Sequence, residues 1–226
     1  MSKISRGKNG ETKVKDVLSK RIKEYHKLLN DITFINEKSE MTHQIDHILI
    51  HPHGVFVIET KNYYGKINAN THDSFWLKEI NGKVERISDP LKQNKSHSRM
   101  VKKYVPKDIE VIPVVIFVKN NAPYVGDENV INLKDLILFI KSYPYQKELT
   151  KEEIDLVSKS LKSNSSKVSK STHLENIGYL KQIRYENQLE ISEALESRIC
   201  PRCGGHIINS NDEFHCDKCD FRFSFK

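Results

Sequence analysis

Hydrophobic positions along this chain change their period several times, and each change predicts a new element. Between Glu11 and Leu29 the apolar residues Val14, Val17, Leu18, Ile22, Tyr25, Leu28 and Leu29 recur at the spacing of an amphipathic helix. Asp31 to Asn36, with Ile32, Phe34 and Ile35, predicts a first strand. Two apolar runs, Ile48 to Ile50 and Val55 to Ile58, then flank His51-Pro52-His53-Gly54, the pattern of two adjacent strands joined by a tight loop. Gly65 to Ala69, Phe75 to Ile80 and Lys83 to Ile87 predict a meander, with Asn81-Gly82 as its hairpin turn because both residues tolerate positive φ. Trp76 and Phe75 are its packing residues.

Helical periodicity returns at Asp89-Pro90, an N-cap followed by proline at the first helical position, and continues through Leu91, Gln93, Asn94, His97, Met100, Val101 and Tyr104. Val111 to Val118 is a continuous apolar run suited to a strand covered on both faces, and Asn129 to Asn132 and Leu133 to Tyr143 predict a short strand and a helix. This order argues an α/β fold with a central mixed sheet flanked by helices, closing near Tyr145. Residues 146–197 predict a helical linker: Thr150 and Glu153 form a capping box, Lys162 to Ser171 is Ser/Lys-rich with little to bury, and Thr172 with Glu175 opens a helix running through Leu195. Residues 198–226 form a small third segment.

Composition narrows the class. The 226 residues are 37% hydrophobic and 30% charged, as in a soluble globular protein, and neither a membrane-spanning run nor the apolar core of a secretory signal is present. A cytoplasmic location and no membrane partner follow as expectations. The formal charge of +7 favours polyanionic partners such as nucleic acid. All 4 cysteines lie beyond residue 199, which argues against disulfides distributed through the fold.

The candidate chemistry sits where charge interrupts the apolar strands, at Asp46, Glu59 and Lys61. Side chains alternate along a strand, so Glu59 and Lys61 share a face, and Asp46 stands on the neighbouring strand. Burying such groups unpaired costs several kcal/mol, on the order of the desolvation penalty of each ion, and a metal ion offsets that cost. A Glu-x-Lys pair alone is common in charged proteins. An Asp on the partner strand, in Asp-x12-Glu-x-Lys, is similar to the core motif of the PD-(D/E)xK nucleases, although Ile45 stands in place of the proline.

Further motifs occur in the same order: Gly10-Glu11, Gln44-Ile45-Asp46-His47-Ile48, Gly54 to Tyr63, Gly65, Trp76 and Asp89-Pro90-Leu91-Lys92-Gln93-Asn94. Together these resemble the nuclease-related domain (NERD) family over roughly residues 7 to 120. The resemblance implies a restriction-endonuclease-like fold and hydrolysis of DNA phosphodiester bonds. It implies that Asp46, Glu59 and the Thr60 carbonyl bind Mg²⁺ or Mn²⁺, that Lys61 stabilises charge or orients water, and that Gln93 positions the nucleophile or phosphate. Glu11 is either a third acid of the site or a first-turn carboxylate favoured by the helix dipole. Gln93 and His97 share a helix face that borders the site or faces water, and Lys92, Lys95, Arg99, Lys102 and Lys103 make the same helix basic. Strand alternation puts His43, His47 and His51 opposite Asp46, which argues against a histidine zinc site.

The third segment reads Cys200-x2-Cys203-x12-Cys216-x2-Cys219, two knuckles that can set four thiolates around a structural Zn²⁺ with no open position. Cys200-Pro201-Arg202-Cys203-Gly204-Gly205 and the second knuckle resemble the zinc ribbon at the C-terminus of bacterial type IA topoisomerases. Arg202, Lys218, Arg222 and Lys226, interleaved with Phe214, Phe221, Phe223 and Phe225, either grip and stack a single-stranded or structured DNA or merely solubilise a minimal aromatic core. The ribbon binds DNA or a DNA-processing protein partner. The expectation is a zinc-ribbon-targeted, metal-dependent nuclease; the alternative is a non-catalytic nucleic-acid-binding or adaptor protein on the same scaffold. Nothing in the pattern specifies an oligomeric state.

Overall fold

The computed structural model describes residues 3–36, 41–69, 75–122, 129–166, 170–210 and 213–224. Helix α1 (Lys3–Arg21) is followed by β1 (Lys27–Ile35), β2 (Thr42–His51) and β3 (Gly54–Lys61). A meander of β4 (Lys66–Ala69), β5 (Phe75–Ile80) and β6 (Lys83–Ser88) leads into α2 (Pro90–Lys102). Strands β7 (Val111–Phe117) and β8 (Val130–Asn132), helix α3 (Leu136–Ser142) and helix α4 (Lys151–Ser163) complete the first of two units, Met1–Val168. The second unit, Ser169–Lys226, holds α5 (Lys170–Ser197), β9 (Ile207–Ser210), β10 (Glu213–Cys216) and β11 (Arg222–Ser224).

The first unit is the expected mixed α/β architecture. Its sheet runs β1-β2-β3-β7-β8, antiparallel from β1 to β3 and parallel from β3 through β8. Val14 and Leu18 of α1 and Ile22 just beyond it cover one face with α3, against Leu49, Phe56, Ile58, Ile112, Val114 and Ile116. Met100 and Val101 of α2 and Ile154, Val157 and Leu161 of α4 cover the other, against Ile48, Ile50, Val55 and Val57. Each fully buried Val, Ile or Leu contributes about 1.5–3 kcal/mol, so these two layers hold the sheet rigid beneath the site. The meander forms its own sheet and anchors through Trp76, which stacks on Phe117. Its hairpin forms at Asn81 and Gly82, both at positive φ.

Helix α4 lies in the core of the first unit, so a domain closing near Tyr145 leaves out part of what buries the sheet. The exposed stretch predicted from Lys162 to Ser171 includes Ser166, which bridges to Thr33 of β1; residues 167–169 lie outside the described residues.

Two local expectations differ. The helix predicted over 11–29 ends at Arg21, and Leu28 and Leu29 belong to β1. Leu28 packs with the α1 layer and Leu29 with the α2 layer, as adjacent residues of a strand covered on both faces must. Because the helix begins before Glu11, that residue is in its interior and the helix-dipole explanation does not apply. The second difference is a reversal of strand faces. Leu29 and Phe34 pack in one cluster, as do Ile45 and Ile48, although strict alternation would separate both pairs. Asp31, at φ 53°, is where β1 turns over, and the β1–β2 ladder is interrupted opposite it at Asp46.

Candidate active site

The site forms where the β2–β3 ladder ends. The last pair is His47 with Ile58; one step further, the Thr60 N–H donates to Asp46 Oδ2 at 2.7 Å instead of to a strand carbonyl. Glu59 and Lys61 project from the same face of β3, the central strand, and Lys61 Nζ donates to Glu59 Oε1 at 2.5 Å. The same ammonium donates to Gln93 Oε1 of α2 at 3.2 Å. His97, one turn after Gln93, sets Nδ1 3.5 Å from Glu59 Oε2. Thus both helical residues read from sequence as sharing a face meet the strand pair.

Two anchors place the helices. Asn94, fully buried, donates from Nδ2 to the carbonyls of Val57 (2.8 Å) and Val114 (2.9 Å), joining α2 to β3 and β7. On the other side, α1 passes so close to the end of β3 that a Cβ at Gly10 would lie 2.8 Å from Asn62 Cβ. Asn62 Nδ2 donates to the Arg6 carbonyl at 2.9 Å, and Glu11 is thereby brought close enough to act on Asp46.

Electrostatics divide the acids. Burial, then the charges of Glu59 and Glu11, raise the Asp46 carboxyl well above its usual range, against the opposing Thr60 N–H and Lys61. Burial also disfavours the Glu59 carboxylate, but Lys61 and then His97 outweigh it and hold Glu59 below the ordinary range. For Lys61 the desolvation that would lower its pKa is overcome by Glu59, and it stays protonated. The two acids are thus tuned in opposite directions, with ionisation disfavoured at Asp46 and favoured at Glu59.

The histidines of β2 do not share one environment. His43 packs edge-on against His97, on the α2 side, whereas His51 lies against Phe56 and His53. The face reversal at Asp31, opposite Asp46, separates them, so His43 and His51 do not share the face that strict alternation predicts. His47 Nδ1 pairs with Asn30 Oδ1 at 2.8 Å.

In the second unit the four cysteine sulfurs all lie within 4.8 Å of one another, and among the described residues this is the only group of three or more His, Cys, Asp or Glu placed to share a metal. The Cys200–Cys219 and Cys203–Cys216 separations, 3.7 and 3.4 Å, are near the edge of a tetrahedron with Zn–S bonds of about 2.3 Å. Gly205 is required, since a Cβ there would lie 2.7 Å from Cys216 Sγ. The ribbon strands run β9-β10-β11, and Ala194 of α5 shares their small core. Phe214 stacks on Phe223, with centroids 5.0 Å apart, and Arg202 pairs with Glu190 while lying over Phe221. Lys218 and Arg222 are exposed; Phe225 and Lys226 lie outside the described residues.

Residues 6–118 match the family described as nuclease-related domain. An uncharacterized protein of Bacillus anthracis is 32% identical over 154 residues, spanning 66% of this chain and 72% of that protein. No solved structure matches the chain. No described helix is long and apolar enough to cross a membrane.

Proposed function

Since this chain belongs to the nuclease-related domain family, we propose that it is a metal-dependent nuclease that hydrolyses DNA phosphodiester bonds where the β2–β3 ladder ends. One observation carries the reading. Asp46, Glu59, Lys61 and Gln93 come from three elements and meet at the point where the strand ladder opens.

Asp46 and Glu59 would hold Mg²⁺ or Mn²⁺, with Glu11 as a further acid and the Thr60 carbonyl as a neutral ligand. Thr60 suits this role because N–H and C=O of one strand residue point to the same side, and its N–H already points at Asp46. The bound cation lowers the pKa of water and neutralises phosphate charge. Lys61, kept protonated by Glu59, acts as a fixed positive charge against the charge that builds on the phosphate oxygens, and is not a proton acceptor. Gln93 sets the direction of that ammonium through Oε1 and leaves its own amide N–H₂ to orient the water or a phosphate oxygen. His97 steadies the Glu59 oxygen not used by Lys61.

In the second unit the four thiolates hold a structural Zn²⁺, and the exposed Lys218 and Arg222 offer contacts to a DNA backbone. The stacked rings of Phe214 and Phe223 serve the ribbon's interior. Calorimetric titration of Mn²⁺ into the zinc-loaded chain tests the metal part of the proposal. Saturable binding that Asp46→Asn abolishes is expected; binding unaffected by that change would sink the assignment.

A further inference from the structure

A cavity of about 490 Å³ extends from Lys61 away from Asp46 and Glu59, neither of which lines it. Thr60 and Lys61 open into it, and Tyr63, Tyr64, Arg6 and Lys78 wall it. Its volume is in the range that holds one small ligand and suits a single nucleotide better than a stacked duplex. Tyr64 is 49% exposed at the rim, with Lys119 Nζ 4.6 Å and the Arg6 guanidinium carbon 6.0 Å from its ring centre. Lys78 lies over Tyr63 and neutralises Glu85, the carboxylate on that wall.

The backbone that presents the ring is fixed. Asn121 Nδ2 donates to the Tyr63 and Gly65 carbonyls at 3.1 and 2.8 Å. Gly65, at φ 88°, passes so close to the meander that a Cβ would fall 2.1 Å from the Glu79 carbonyl oxygen. An aromatic face held rigid, half-exposed, flanked by long cationic side chains and continuous with a phosphodiester-cleaving site has the features of a base-stacking platform. Cation–π contacts at an exposed ring are weaker than base stacking, so an incoming base displaces Lys119 and Arg6 from the ring and leaves them to meet the adjoining phosphates.

We propose that Tyr64 and this cavity form a subsite for one unpaired nucleotide of a DNA strand, next to the bond to be cut. The inference rests on the nuclease reading, and it predicts preference for single-stranded ends or gaps over continuous duplex.

The test is a titration of the full zinc-loaded chain carrying Tyr64→Trp, without added Mg²⁺, with a single-stranded oligonucleotide or its blunt duplex. Trp76, the natural tryptophan, is buried, so emission from position 64 reports locally and the ribbon cannot mimic it. Saturable quenching by the single strand and not by the duplex is expected. In parallel, Tyr64→Ala weakens single-strand binding about tenfold by fluorescence anisotropy, while Tyr64→Phe retains it. Anisotropy showing binding without quenching, or equal quenching by duplex, overturns the subsite and leaves cleavage to its own test. No binding to either DNA overturns the subsite and the nuclease reading together.

Discussion

The backbone N–H of Thr60 donates to the carboxylate of Asp46 across 2.7 Å, where a continuing strand would have supplied a carbonyl. Beyond this point β2 continues along β1 to Thr42 and β3 along β7 to Lys61, with the acid between them. The acid is costly to ionise there, because burial and the neighbouring Glu59 and Glu11 favour its protonated form.

Asp46→Asn therefore separates fold from function. The amide keeps an acceptor for Thr60 and removes the disfavoured charge. A carboxyl whose folded pKa is raised binds more protons in the native state, so its contribution to stability falls as pH rises through the window above its ordinary value. At neutral pH without divalent metal the variant should melt at or above the wild-type temperature. Added Mn²⁺ should raise the wild-type melting temperature and leave the variant's unchanged, as scanning fluorimetry will show.

Lys61 and Gln93 should differ in what they cost. Lys61→Ala leaves Glu59 buried with only His97 beside it, and should destabilise the fold by about 2–4 kcal/mol in urea unfolding as well as abolish cleavage. Gln93 is exposed, so Gln93→Ala should change stability by less than about 0.5 kcal/mol while slowing cleavage about tenfold.

Asn94 offers a sharper contrast. Asn94→Ala deletes two buried hydrogen bonds, worth about 2–3 kcal/mol with the space left behind. Asn94→Asp should be worse than alanine, since it turns a carboxylate toward two carbonyl oxygens. Thermal melts of the two variants check the order.

His51 gives a pH signature away from the acids. Burial, then neighbouring His53, lower its pKa to about 4 from 6.5, and its Nδ1 accepts the His53 N–H. Between those values the unfolded chain binds the extra proton, so stability is present above the ordinary histidine pKa and is lost as pH falls. From pH 7 to pH 5 this one group accounts for about 1–2 kcal/mol. Glu24 Oε2, 4.0 Å away, partly offsets the loss. Urea unfolding of His51→Gln should show a smaller loss of stability over that interval than the wild type.

Removing the zinc proposed for the four cysteines should act locally. The ribbon's buried core is Ala194, Ile207, Phe221 and Phe223 with two of the cysteines, too little to fold unaided. Cys203→Ala or a chelator should erase the dispersed amide resonances of residues 200–210 and 213–224 and leave those of the sheet in the first unit in place.

Much of this was legible in the sequence for physical reasons. The hairpin, the Asn81-Gly82 turn, the Asp89-Pro90 helix start and the spacing of the cysteines are local signals, and the local structure follows them. Glu59 and Lys61 share a face because nothing interrupts β3 between them. The exit of α1 leaves no sequence signal, because Leu28 and Leu29 satisfy a helical period and a strand covered on both faces equally well. The reversal at Asp31 was hidden, since an aspartate at positive φ leaves no mark in an apolar pattern. His97 and Asn94 were visible as polar residues in a helix's buried positions, but their partners on β3 and β7 lie twenty or more residues away, and only the packing of α2 reveals them.

The most direct test is cleavage of labelled single-stranded, duplex and branched DNA with Mg²⁺ or Mn²⁺ by wild type, Asp46→Asn and Lys61→Ala at matched zinc content. Metal-dependent cutting by the wild type is expected, with at least about a hundredfold loss in both variants and DNA binding retained. Wild type inert on every substrate, or variants that cut as fast as wild type, would contradict it.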